Sequence, residues 1–136
     1  AEPYTAFTKE TRNRDGYTPP FPGQVTGSLH AMTQPVYLLN SGFTASAAEI
    51  FAMAMQELPQ VTLVGAPTAG NLSDILDISL PNGWSMGLSH QIYRDASGAA
   101  LEGTGVAPDI LRPFDAESFA RGEDPLLTEL RQMIGE

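Results

Sequence analysis

Pro35-Val-Tyr-Leu-Leu-Asn40-Ser-Gly-Phe-Thr-Ala-Ser46-Ala-Ala-Glu49-Ile-Phe-Ala-Met-Ala-Met-Gln-Glu-Leu58-Pro59-Gln-Val61-Thr-Leu-Val64 contains three elements in succession. The apolar run from Val36 to Asn40 has the length of a strand. It does not alternate, which predicts burial on both faces. Ser41 to Thr44 reads as a turn. Ser46 to Leu58 is rich in Ala, Met and Glu, all strong helix formers, and Pro59 ends the helix. Val61 to Val64 is a second short buried strand. Strand, helix and strand within roughly 30 residues form a parallel β-α-β unit with a right-handed crossover.

On the N-terminal side, Tyr4 to Lys9 alternates loosely and reads as a strand, and Arg12 to Gly16 as a charged turn. Thr18-Pro-Pro-Phe-Pro-Gly23 reads as irregular backbone. On the C-terminal side, Gly65 to Gly70 is a loop. Ile75 to Leu80 and Trp84 to Tyr93 are two strands joined by the hairpin turn Pro81-Asn-Gly83. Asp95 to Gly98 is a turn, and Gly103 to Asp109 a rigid loop. Asp115 caps a short helix to Arg121. Asp124-Pro125 opens a last helix through Met133, with proline at its first position. The fold class is α/β with mixed strands, in one domain spanning residues 1–136.

The 136 residues carry 7 Lys+Arg against 16 Asp+Glu, a net charge of −9. Lys9 is the only lysine, and no Lys or Arg stands between Arg14 and Arg94. Binding to nucleic acid is therefore not expected, because counterion release needs clustered cations. An anchor for anionic membranes is disfavoured for the same reason. A Ser–Lys catalytic pair cannot be assembled from the middle of the chain. With no cysteine, disulfides, thiolate metal sites and a thiol nucleophile are excluded. No apolar run reaches the roughly 18–20 residues of a membrane span. Ala1-Glu-Pro-Tyr4 has no basic or apolar leader character, so a signal peptide is read as absent or already removed. The 13 glycines and 11 prolines make a pure helix bundle improbable.

The chemistry-bearing segment is Asn40 to Glu49. A buried strand runs through a small-residue turn into a helix N-terminus, and two readings fit Ser46. As a nucleophile it would have free helix N–H groups and the positive dipole end beside it, both able to stabilise an oxyanion. As a helix cap, Ser46-Ala-Ala-Glu49 is an S-x-x-E capping box. A base is harder to find. Lys9 reads as a solvated charge, and His30 as a surface or packing residue. His90 reads as a strand or loop histidine, with a base role as the other option. No residue pattern suggests a metal site. Asp74 and Asp77 point to opposite faces of a strand, and two histidines 60 positions apart form no ligand motif. Gly65 to Gly70 lacks the GK[ST] ending of a phosphate loop. The acidic excess after residue 95 reads as a solvated face.

Five ordered motifs resemble the tail-specific (C-terminal processing) serine peptidase family, which also includes the tricorn core and retinoid-binding relatives. They are Val36-Tyr-Leu-Leu-Asn40, Thr44-Ala-Ser-Ala-Ala-Glu-Ile-Phe51, Val64-Gly-Ala-Pro-Thr-Ala-Gly70, Leu80-Pro-Asn-Gly83 and Leu101-Glu-Gly-Thr-Gly-Val-Ala-Pro-Asp109. The resemblance covers residues 35–112 well and the rest loosely. It implies a ClpP/crotonase-like spiral of β-β-α units, of which this chain is the C-terminal, nucleophile-bearing portion. It implies Ser46 as nucleophile and the Ala47 backbone N–H as an oxyanion donor. The processing peptidases place a basic lysine where this chain has Asn71, so the Ser–Lys design is not available. The tricorn-like Ser-His-Glu branch uses a histidine far upstream and a glutamate matched by Glu102. Neither His30 nor His90 matches that histidine. Glu49 is better read as a cap.

The family's Asp-Leu-Arg-x-Asn-x-Gly-Gly loop, with the second oxyanion donor, is not in this sequence. The resemblance therefore implies a serine endopeptidase acting on peptides or proteins, without cofactor or metal, in which this chain alone is inactive. Its partner would be the upstream part of the same polypeptide or a second copy. The family's habit favours the periplasm, cell envelope or exterior. Two other readings stay open. One is a non-catalytic ligand-binding module on the same fold, and the other a structural or oligomerisation unit.

Overall fold

A computed structural model describes residues 2–28 and 32–135. The elements run β1 (Tyr4–Asn13), β2 (Gly16–Tyr17), β3 (Phe21–Val25), β4 (Val36–Asn40), α1 (Ala47–Gln56) and β5 (Val61–Gly65). They continue with β6 (Ile75–Ser79), β7 (Ser85–Ser89), β8 (Gln91–Asp95), β9 (Ile110–Leu111), α2 (Ala116–Ala120) and α3 (Pro125–Ile134).

The β-α-β unit forms as expected. β4 and β5 are parallel, in register from Val36 with Val61 to Asn40 with Gly65. β9 adds to the far side of β5, also parallel. This short third strand lies just past the expected Gly103–Asp109 loop, in residues to which the sequence assigns no element. β4 is less enclosed than its composition implies. Its residues are mostly half-buried, and Leu39 is 43% exposed. The reason is positional: among the described residues β4 pairs only with β5, whereas β5 lies between two strands.

A second, antiparallel sheet is centred on β1, which pairs with β3 along one edge and β8 along the other. Two expectations are corrected here. Phe21-Pro-Gly-Gln-Val25 is a strand despite its proline, because β3 is an edge strand, where a missing N–H costs no ladder bond. Gly23 makes room there for the Phe7 ring: a Cβ would sit 2.2 Å from it where the ring now lies. Trp84 to Tyr93 is not one return strand. It breaks at His90 into β7, which completes a hairpin with β6, and β8, which crosses to β1.

α1 packs between these sheets. Ala52 and Met53 meet Val61, Leu63, Leu72, Tyr93 and Val106, with Phe7, Val36 and Leu38 around them. The Tyr4 hydroxyl donates to the Ala54 carbonyl at 2.7 Å, tying β1 to the helix. α2 and α3 are capped by Asp115 and Asp124 as expected. Pro125 sits at the start of α3. No described helix is long and apolar enough to cross a membrane.

Candidate active site

At the C-terminal end of β4 the chain turns through Ser41–Thr44 and enters α1 at Ser46. Ser46 has φ 57° and ψ −125°, and it is the only non-glycine with positive φ among the described residues. Such backbone is strained and persists only where its surroundings enforce it. The side chain is exposed. Ala47 follows at the first helical position, where an N–H has no acceptor within the helix.

The enforcing group is Glu49, whose side chain is fully buried. One oxygen accepts the Ser46 N–H at 3.0 Å and the Asn71 N–H at 2.9 Å. The other accepts the Thr68 hydroxyl at 2.5 Å and the Gly70 N–H at 2.7 Å. Four donors compensate a carboxylate withdrawn from water. The expected capping-box arm is therefore present, but it is one bond of four. The other three fasten the Ser46 turn to the Thr68–Asn71 loop. Sequence reading missed this role. The available signal was the threonine in Gly65-Ala-Pro-Thr-Ala-Gly70, a hydroxyl in an otherwise apolar loop. Thr68 also accepts the Val106 N–H at 2.7 Å, so it links all three segments.

Asn71 lies against Ser46: its carbonyl accepts the Ser46 N–H at 3.0 Å. The next two residues, Leu72 and Ser73, donate their N–H groups to Glu102 at 3.0 Å each. Gly103 donates to the Gly70 carbonyl at 2.7 Å. The close approach requires Gly105, where φ is +75° and a Cβ would sit 2.2 Å from the Thr68 carbonyl oxygen. Ser46, Glu49 and Asn71 thus belong to one hydrogen-bonded constellation, with Ala47 next to Ser46 in the chain and Glu102 joined to it through Leu72 and Ser73, the two residues after Asn71.

The histidines and Lys9 lie differently. His30 is outside the described residues. The His90 backbone N–H donates to the Ser73 hydroxyl, and its Nδ1 lies 3.0 Å from the Asp74 carbonyl. A carbonyl can only accept, so Nδ1 carries the proton and Nε2 is the basic nitrogen. Lys9 is not a free solvated charge. It is about one-third exposed, lies 3.8 Å from Asp74 and covers the Tyr93 ring. Burial, then the negative charge of Asp74, push the Tyr93 phenol pKa up.

The family model for peptidase family S41 matches residues 4–112. The chain belongs to peptidase family S41. It is 31% identical over 96 residues to a carboxy-terminal-processing protease of Bartonella bacilliformis, covering 71% of this chain and 22% of that protein. A putative peptidase from Parabacteroides merdae superposes with a TM-score of 0.85 at 25% identity, covering 99% of this chain and 44% of that one. Mature CPAF complexed with lactacystin (TM-score 0.76, 21% identity, 88% of this chain and 24% of that) and the tricorn protease (0.64, 19%, 74% and 10%) share the fold. The S41 chain therefore spans less than half the length of each of these relatives.

Proposed function

We propose that this S41 chain is the nucleophile-bearing C-terminal part of a serine endopeptidase domain of the Ser-His-Glu type. Ser46 Oγ attacks a peptide carbonyl and passes its proton to a histidine supplied by the upstream part of the polypeptide. The oxyanion is held by the Ala47 N–H and by a second donor from that same upstream part. Collapse expels the amine, which takes the proton back from the histidine, and water then releases the acyl group by the same steps in reverse. Glu102 supports the histidine in its productive tautomer. The domain is read as the C-terminal portion of a ClpP/crotonase-like spiral of β-β-α units, with the β4–α1–β5 unit as one of its turns.

The observation that carries this reading is the strained Ser46 backbone at the mouth of α1. Capping a helix needs no positive φ, whereas presenting a hydroxyl beside free helix N–H groups at a strand-to-helix elbow does. Asn71 beside Ser46 leaves the Ser–Lys design without its base.

Fluorophosphonate labelling tests the reading. The 136-residue chain labels at background rate, because losing a triad member costs several orders of magnitude. The longer polypeptide that carries it labels rapidly at Ser46, and Ser46→Ala abolishes the label. Rapid labelling of another serine in the longer polypeptide overturns the assignment. Rapid labelling of Ser46 in the 136-residue chain overturns the incomplete site and points to His90 as base.

A further inference from the structure

β6 and β7 form a two-stranded sheet that pairs with no other described strand. Its register sorts the side chains. Leu76 stands opposite Leu88 and Ile78 opposite Met86, so these four share one face. The other face carries Asp77, Ser79, Ser85 and Ser89, with Ile75 as its one large apolar residue. This alternation is that of a sheet with one face packed and one in water. Here the apolar face is open: Leu76, Met86 and Leu88 are 47%, 41% and 44% exposed. None of the four belongs to the core around α1. A hairpin of two strands is marginal by itself and gains stability only when its apolar face is covered.

Both ends of the hairpin meet at Ser73. β6 starts two residues after it, and just past β7 the His90 N–H donates to the Ser73 hydroxyl at 3.0 Å. The Ser73 N–H in turn donates to Glu102 at 3.0 Å. The hairpin therefore springs from the candidate site. Three observations decide what covers its apolar face. Four side chains fall far short of the roughly 20–30 residues a side that hold separate molecules together, whereas a body in the same polypeptide is held close by the chain itself. A second copy would also bring a net charge of −9 against −9. In the Parabacteroides merdae structure, which matches 99% of this chain, only 44% of the chain is matched, so more than half of it lies outside the shared fold.

We propose that the face formed by Leu76, Ile78, Met86 and Leu88 is the seat of the remainder of the peptidase domain, the body that supplies the histidine. Its contacting surface is apolar and uncharged, because this face offers no counter-charge and an ion pressed against it would be buried unpaired. Covering the hairpin and completing the site are then one event, linked through Ser73 and Glu102. That this body carries the histidine rests on the peptidase reading; that it covers the hairpin does not.

The test is amide hydrogen exchange, read by mass spectrometry over β6 and β7 in the 136-residue chain and in the longer polypeptide that carries it. Exchange should be at least about tenfold slower in the longer polypeptide. Leu76→Ser with Leu88→Ser removes one cross-strand apolar pair and should restore fast exchange there. Ser79→Thr with Ser85→Thr alters a pair on the opposite face and should leave the protection within about twofold. Equal exchange in the two parent polypeptides overturns the proposal, as does equal loss of protection in the two double variants. In sedimentation the 136-residue chain should be a monomer. A dimer that Leu76→Ser with Leu88→Ser dissociates would make a second copy the occupant and also overturn it. Should that variant not fold, the comparison of the parent polypeptides decides alone. Ser46 labelling is a separate readout: a protected hairpin without labelling sinks the peptidase reading alone, and labelling with an unprotected hairpin sinks the docking alone.

Discussion

Glu49 accepts the Ser46 backbone N–H at 3.0 Å from a position with no solvent exposure. A charge is thus withdrawn from water three residues after the proposed nucleophile, and the same carboxylate holds Thr68, Gly70 and Asn71. Elbow and loop are fixed relative to each other by one side chain.

Glu49→Gln replaces one acceptor oxygen by an NH2 that faces N–H and O–H donors. At least two of the four bonds are lost and buried donors are left unpaired. Urea unfolding should show a loss of about 2–4 kcal/mol, the range for breaking a buried, hydrogen-bonded charge. A loss below about 0.5 kcal/mol would mean that the four-donor arrangement does not hold the loop.

Ser46→Gly tests the strain itself. Glycine adopts φ 57° with ψ −125° without a Cβ penalty, so the variant should be more stable by about 0.5–1.5 kcal/mol despite the added freedom of its unfolded chain. Ser46→Val should move the other way. Most serine-to-glycine changes destabilise a helix start, so an unchanged or lower unfolding midpoint for the glycine variant would show that the elbow is unstrained.

The reach of the sequence is clearest at these residues. β4, α1 and β5 could be read because strand and helix periods alternate within one short stretch and Pro59 separates them. The S-x-x-E spacing showed one of Glu49's bonds, the local one. The other three come from residues 19 to 22 positions later, brought there by the return of β5 beside β4, a distance over which no local pattern operates. β3 escapes local reading for the same reason: its proline and the two just before it argue against a strand until β1 offers it an edge. Asn71 and Glu102 could be located only through family resemblance, since neither lies in a local motif with chemistry of its own.

The cap of α2 carries a pH dependence. The Ser118 hydroxyl, then the Ser118 backbone N–H, hold the Asp115 carboxyl below its ordinary range. Its folded pKa is depressed, so its contribution to stability is present above the unfolded value and is lost as pH falls through the folded one. Followed by NMR, the Ser118 amide should titrate with a midpoint below the ordinary Asp value of about 3.9. Glu129, held down by its hydrogen bonds to Arg112, should titrate in the same direction. A midpoint for Asp115 at or above the ordinary value would show that the cap is open in solution.

Asn71 offers the sharpest test of why the isolated chain should be silent. Its carbonyl meets the Ser46 N–H at 3.0 Å and its side chain is exposed, so a longer side chain can be introduced there without burying a charge. Asn71→Lys supplies an amine beside Ser46. A well-placed general base contributes about 10²–10⁴ in rate, and on the proposal that the second oxyanion donor comes from elsewhere the gain in fluorophosphonate labelling at Ser46 should be about tenfold or more. Only the neutral amine accepts a proton, so the gain must grow as pH rises toward the lysine pKa and level off above it. Asn71→Arg places a cation at the same position, and arginine does not deprotonate in this range. If the arginine variant labels as fast as the lysine variant, the effect is electrostatic attraction of the reagent and Asn71 does not mark the position of the base. If neither variant exceeds the parent chain, Ser46 lacks more than a proton acceptor.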